Sequence, residues 1–195
     1  WFHQLPNYDV DGMVGFFRRH GLDAARADTL FDRGPTYRGR VDGLPIEYRR
    51  LLEGDRVRIG GRDWRVIVGY GHSPEHASLY CAELAVLISG DMLLPRISTN
   101  VSVMSSNPDG DPIRLFLDSI SRYEALPEDT LVLPSHGRPF RGIHARVAQL
   151  EAHHRERFDA LVAACDVPKS ACELIPTLFR RELDAHQTMF AMGES

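Results

Sequence analysis

The chain has 195 residues, of which 43% are hydrophobic and 26% charged, with a formal net charge of −4. A chain of that size holds one domain with an extension and can bury a real core. Its slight acidity gives no basic footprint, which argues against a nucleic-acid partner and for a small-molecule substrate. No apolar run approaches the ~20 residues needed to span a bilayer, so no membrane partner is expected. Cys81, Cys165 and Cys172 form no CxxC pair. That excludes a patterned disulfide framework or zinc knuckle and makes a reducing cytoplasm the expected compartment. The chain starts at Trp1 rather than a methionine, so the natural N-terminus is expected upstream.

Near the start, Val10, Met13, Val14, Phe16 and Phe17 precede Arg18-Arg19-His20-Gly21, a basic end with a glycine stop. This pattern predicts a helix, and Asp23–Leu30 predicts a second short one. The stretch 31–47 contains Gly34-Pro35, Gly39 and Gly43-Leu44-Pro45 and reads as a loop over the domain. Tyr37, Arg38 and Tyr48 are candidates for shaping access to a site, and plain surface loop residues are the simpler reading.

Gly54-Asp55 opens a hairpin in which Val57 and Ile59 alternate, Gly60-Gly61 turns, and Trp64–Val68 returns. Ala77–Cys81 and Ala85–Ser89 predict two further strands, the second stopping at Gly90-Asp91. Leu93–Ser106 is broken by Pro95 and reads as a loop, with Arg96 either near a site or in a surface ion pair. Asp111-Pro112 caps a helix whose apolar face is Ile113, Phe116, Leu117, Ile120 and Tyr123. Leu131–Leu133 is a short strand ending at Pro134-Ser135-His136-Gly137. Ile143, Val147, Leu150, His154, Phe158 and Leu161 keep the spacing of a long amphipathic helix. Pro168 then opens a group of short helices, Ala171–Phe179 and from Leu183 onward.

Three ligand-type residues thus fall at predicted strand ends beside glycine: His72 after Gly71, Asp91 after Gly90, His136 before Gly137. Rigid elements with closely approaching backbone suit a metal site. A carboxylate ending an apolar strand is costly to bury unless cations offset that cost. His76 stands four residues after His72, a zinc spacing on a helix. Ser73-Pro74 makes that segment a turn instead, so His76 reads as a supporting residue. His154 shares the apolar face of its helix and reads as a packed histidine.

GHSPEH (71–76), SGD (89–91) and LPSHGRP (133–139), in that order, resemble the later motifs of the metallo-β-lactamase-fold hydrolases. The nearest flavour is the hydroxyacylglutathione-hydrolase-like branch with a helical tail. The resemblance implies a mixed α/β (α+β) fold, the αββα sandwich, over 1–155, and a helical, winged-helix-like extension over 156–195. It implies one or two zinc ions, with iron or manganese as alternatives. His72 would be a terminal ligand of one metal and His136 of the other. Asp91 would bridge both and is the catalytic assignment. The implied reaction is attack of metal-bound hydroxide on a thioester, ester, lactone or similar small substrate. A metal-dependent nuclease of the same fold, or a non-catalytic binding protein, are the alternatives. The family's first motif, HxHxDH, does not occur among the 195 residues. Three ligands of the family's seven are present, so the expectation is a sandwich incomplete at its N-terminus, inactive alone and able to self-associate as a homo-oligomer.

Overall fold

The computed structural model describes residues 9–33 and 47–195. Its elements in chain order are α1 (Val10–Arg19), α2 (Ala24–Arg33), β1 (Arg56–Ile59), β2 (Arg62–Gly69), β3 (His76–Cys81), β4 (Val86–Gly90), α3 (Pro112–Ser121), β5 (Leu131–Pro134), α4 (Ile143–Ala164), α5 (Ala171–Leu178) and α6 (Ala185–Glu194). They divide into two compact units.

One unit comprises residues 50–102 and 110–158. Its sheet runs β1-β2-β3-β4-β5, antiparallel from β1 to β4, with β5 parallel to β4. A parallel partner needs a crossover, and α3 supplies it. Asp111 Oδ1 accepts the Arg114 N–H and Pro112 opens the helix, as the sequence predicts. Residues paired across strands share a face. Tyr80, Leu87 and Val132 lie on one face and pack with Phe116, Ile120 and Tyr123 after the crossover and with Ile143, Val147 and Leu150 of α4. The opposite face carries Val57, Ile59, Trp64, Val66, Leu79, Ile88 and Leu133; Ile59 is 45% exposed and Ile88 38%. Among the described residues the expected pair of sheets is therefore a single sheet.

The other unit comprises residues 1–49 (described at 9–33 and 47–49), 103–109 and 159–195. Met13, Val14, Phe16 and Phe17 of α1 are buried with Leu22, Ala27, Ile175, Ala191 and Met192. The helix spacing of α1 drives this burial. Gly21, at φ +93°, stops it where the sequence predicts. The tail helices start on reciprocal caps, Ser170 with Glu173 and Asp184 with Gln187. The predicted loop begins later than expected, because α2 runs on to Arg33. Tyr37 and Arg38 lie outside the described residues. Tyr48 is 72% exposed. No described helix is long and apolar enough to cross a membrane.

Candidate metal centre

β2 ends at Gly69, and Gly71 (φ +96°) then turns the chain into His72. A Cβ on Gly71 would lie 2.4 Å from the Pro112 carbonyl oxygen and 2.7 Å from the Phe116 nitrogen, so only glycine lets this turn pack on α3. The Tyr70 N–H donates to Ser119 Oγ at 2.9 Å and fixes the same turn. β4 ends at Gly90 and delivers Asp91. The Ser135 N–H donates to the Gly90 carbonyl at 3.1 Å, so the β4–β5 pairing continues past the strands and carries His136 to Asp91.

The three residues expected at the site meet. His72 Nε2 lies 3.4 Å from Asp91 Oδ2, and His136 Nε2 lies 3.5 Å from Asp91 Oδ1. Each carboxylate oxygen therefore faces a different imidazole. His72 Nδ1 stands 2.9 Å from the Asn100 carbonyl oxygen, which can only accept. In the neutral ring the proton then sits on Nδ1 and the Nε2 lone pair faces Asp91. Asp91 Oδ1 is buried and has no hydrogen-bond partner.

These features fit a cation. A carboxylate that faces one imidazole nitrogen with each oxygen, one of those oxygens buried and unbonded, is costly unless positive charge offsets it. Two ligands held at ~2.0–2.2 Å by one tetrahedral ion stand about 3.3–3.6 Å apart, the range of both contacts. Among the described residues no group of three or more His, Cys, Asp or Glu donors surrounds one point. The trio is instead two contacts centred on Asp91.

His76 is not in a turn: it opens β3, paired with Gly69 across the hairpin. Ser73-Pro74 lies in the loop before it. His76 Nε2 accepts the Asp91 backbone N–H at 3.3 Å. Its nitrogen is therefore engaged by backbone and its Nδ1, which must carry the proton, is buried without a partner. Burial, then the neighbouring His72, hold the His76 pKa below the usual imidazole range.

Sequence reasoning missed the groups that grip the Asp91 turn. Thr99 Oγ1 donates to the Asp91 carbonyl. Ser89 Oγ donates to the Leu93 carbonyl at 2.9 Å. Below them Ser78 Oγ donates to the Ser89 carbonyl at 3.3 Å and shares a 2.7 Å bond with the Tyr123 hydroxyl. Burial pushes the Tyr123 phenol up to about 12, partly offset by the Ser78 bond. Arg96 is exposed and makes no ion pair among the described residues. His154 is packed as expected, 5.8 Å edge-on from Phe116.

The metallo-beta-lactamase superfamily profile matches residues 11–136, more than half of the chain. The chain belongs to the metallo-beta-lactamase superfamily. A second profile, the metallo-beta-lactamase-like C-terminal domain, matches residues 158–195. The crystal structure of a beta-lactamase domain protein from Burkholderia ambifaria is 55% identical, with a TM-score of 0.87 over 91% of this chain and 52% of that one. A metallo-beta-lactamase family protein from Thermus thermophilus is 30% identical, with a TM-score of 0.79 over 97% of this chain and 57% of that one. A hydroxyacylglutathione hydrolase from Cereibacter sphaeroides is 34% identical over 93 residues, which are 48% of this chain and 34% of that protein. The superfamily expected from the motifs is thus shown, and the likeness to a hydroxyacylglutathione hydrolase is in line with the expected branch. This superfamily member spans about half of those two structures and about a third of that curated relative.

Proposed function

We propose that this chain carries the later half of the metal centre of a metal-dependent hydrolase, with His72, Asp91 and His136 as ligands and Asp91 as the bridge. One observation carries the reading: two imidazole Nε2 atoms stand against the two separate oxygens of one half-buried carboxylate. Neutral imidazole and carboxylate suit zinc, with iron and manganese as alternatives. Zinc, when bound, supplies Lewis acidity and a water that ionises near pH ~7. The chain's own residues do the rest. The Asn100 carbonyl holds His72 in the tautomer that presents Nε2. The Asp91 carboxylate fixes the spacing of the two histidines. The His136 side chain is 69% exposed, which opens the centre to substrate. Cys81 is fully buried in β3, and Ser135 has no histidine bonded to it among the described residues, so neither is set up as a covalent nucleophile.

A thioester, ester or lactone is the substrate class. The likeness to a hydroxyacylglutathione hydrolase supports the thioester, and the net charge of −4 supports a small molecule over a nucleic acid. The test is zinc binding by competition with a chromophoric chelator. His72→Ala, Asp91→Asn and His136→Ala should each weaken it sharply. Binding that is unchanged in all three variants overturns the reading.

A further inference from the structure

The segment from Leu93 to Ser102 begins two residues after Asp91 and has no helix or strand of its own. Its backbone groups must therefore find partners elsewhere. Arg146, in the first turn of α4, provides them. Its Nε donates to the Leu94 carbonyl at 2.6 Å and its Nη2 to the Ile97 carbonyl at 2.8 Å. Its Nη1 donates to Gln149 Oε1 at 3.2 Å. No carboxylate pairs with Arg146 among the described residues, and two of its three guanidinium nitrogens go to this segment. Two residues further along the segment hold the site. Thr99 donates to the Asp91 carbonyl. The Asn100 carbonyl accepts from His72 Nδ1 at 2.9 Å. One side chain on α4 thus anchors a strap that orients two of the three proposed ligands.

We propose that Arg146 is a positioning residue of the metal centre, acting through residues 94–100 to set the His72 tautomer and the Asp91 turn. This rests on the reading of His72 and Asp91 as ligands. The chemistry calls for arginine. A planar guanidinium offers donors in a fixed fork and can hold two carbonyls in one orientation. A lysine ammonium can reach either carbonyl but does not fix their relative direction. The carbonyls of Leu94 and Ile97 stand three residues apart, so fixing both fixes the course of the strap into Thr99 and Asn100. Any residue type could supply the Asn100 backbone oxygen. The information lies in where the strap is pinned.

The test uses the protein with ¹⁵N-labelled histidine and no metal, comparing wild type with R146M, R146K and, as a control, R155M. Arg155 is exposed on the same helix. Long-range ¹H–¹⁵N correlations report which nitrogen of each imidazole carries the proton. Wild type and R155M should show His72 protonated on Nδ1. R146M should show a mixture of tautomers, with R146K between. Zinc affinity by chelator competition should follow the same order, with a loss of about 10–100-fold in R146M, as for other groups that orient ligands. Guanidinium ion added to R146M should restore part of the wild-type pattern. Retention of the wild-type His72 signals in both R146M and R146K overturns the proposal, as does an equal change in R155M. If R146M does not fold, R146K decides alone. If zinc binding is unchanged by His72→Ala and Asp91→Asn, the metal reading fails while the tautomer comparison still judges the strap.

Discussion

The backbone N–H of Asp91 donates to Nε2 of His76 at 3.3 Å, so the second histidine of GHSPEH holds the proposed bridging residue by its main chain. The first histidine of that motif faces the carboxylate. The two therefore differ in kind. His72→Ala should abolish measurable zinc binding, whereas His76→Ala should weaken it by about 10–100-fold. Chelator competition on both variants checks this. Equal losses, with His76 bonded to metal in a structure, would reverse the roles.

Gly90 joins β4 to Asp91 and has φ +55°. A Cβ there would come within 2.4 Å of both Cε1 and Nε2 of His76. Gly90→Ala therefore meets a left-handed backbone and a ring with little room, at a cost of about 1–3 kcal/mol. Denaturant titration should show that loss, and the His76 ring signals should move. A variant as stable as wild type with unmoved His76 would show that the ring yields freely.

The parts of this site that were legible in the sequence are those set by local pattern. His72, Asp91 and His136 follow apolar strands and sit beside glycines, and both features lie in short stretches of sequence. The ends of β2, β4 and β5 follow from the same runs. Thr99, Ser78, Tyr123 and Arg146 were illegible, because each acts on a group far away in the chain or on a backbone oxygen. The Arg146–Leu94 bond joins residues 52 positions apart, and no periodicity marks it. His76 supports Asp91, as its sequence context suggests, but from a different local structure, since pairing with Gly69 extends β3 back to it. The turn signal of Ser73-Pro74 holds at those two residues and ends before His76.

The Tyr123 hydroxyl is buried and bonds only to Ser78 Oγ among the described residues. Ser78 keeps its bond to the Ser89 carbonyl if the phenol oxygen is removed. Tyr123→Phe should therefore cost about 0.5–1.5 kcal/mol, an ordinary single hydrogen bond, and not the larger penalty of an orphaned group. Ser78→Ala strands the phenol and should cost more. Urea midpoints at constant slope would measure both. The reverse order would show that the Ser78–Ser89 link is the weaker half.

His154 gives the chain an acid-sensitive joint. Burial first, then His153 and Arg157, hold its pKa down to about 4, against 6.5 for a free imidazole. The unfolded chain therefore takes up a proton more readily than the folded one, and stability should fall as pH drops from about 6.5 towards 4. The contribution is at most about 3 kcal/mol. His154→Phe keeps an apolar ring against Phe116 and removes the titration. Its denaturation midpoint should fall less than that of wild type between those pH values. Parallel curves for the two proteins would assign the acid limb to other groups.

Ligand number sets the last expectation. The chain holds three proposed donors and no HxHxDH string. Metal affinity falls with each ligand that is missing, and the remaining ones must be held by the fold. The sheet face carrying Ile59 and Ile88, 45% and 38% exposed, also offers apolar surface to other copies. A polypeptide of these 195 residues should therefore bind zinc well below one ion per chain, hydrolyse neither thioester nor lactone, and sediment as mixed oligomers. A version that also bears a family HxHxDH segment should hold two ions, run as one species and turn over substrate until a chelator is added. Elemental analysis, light scattering and hydrolysis assays on the two versions make the comparison. A monomeric, zinc-loaded and active 195-residue form would show that three donors on this single sheet are sufficient.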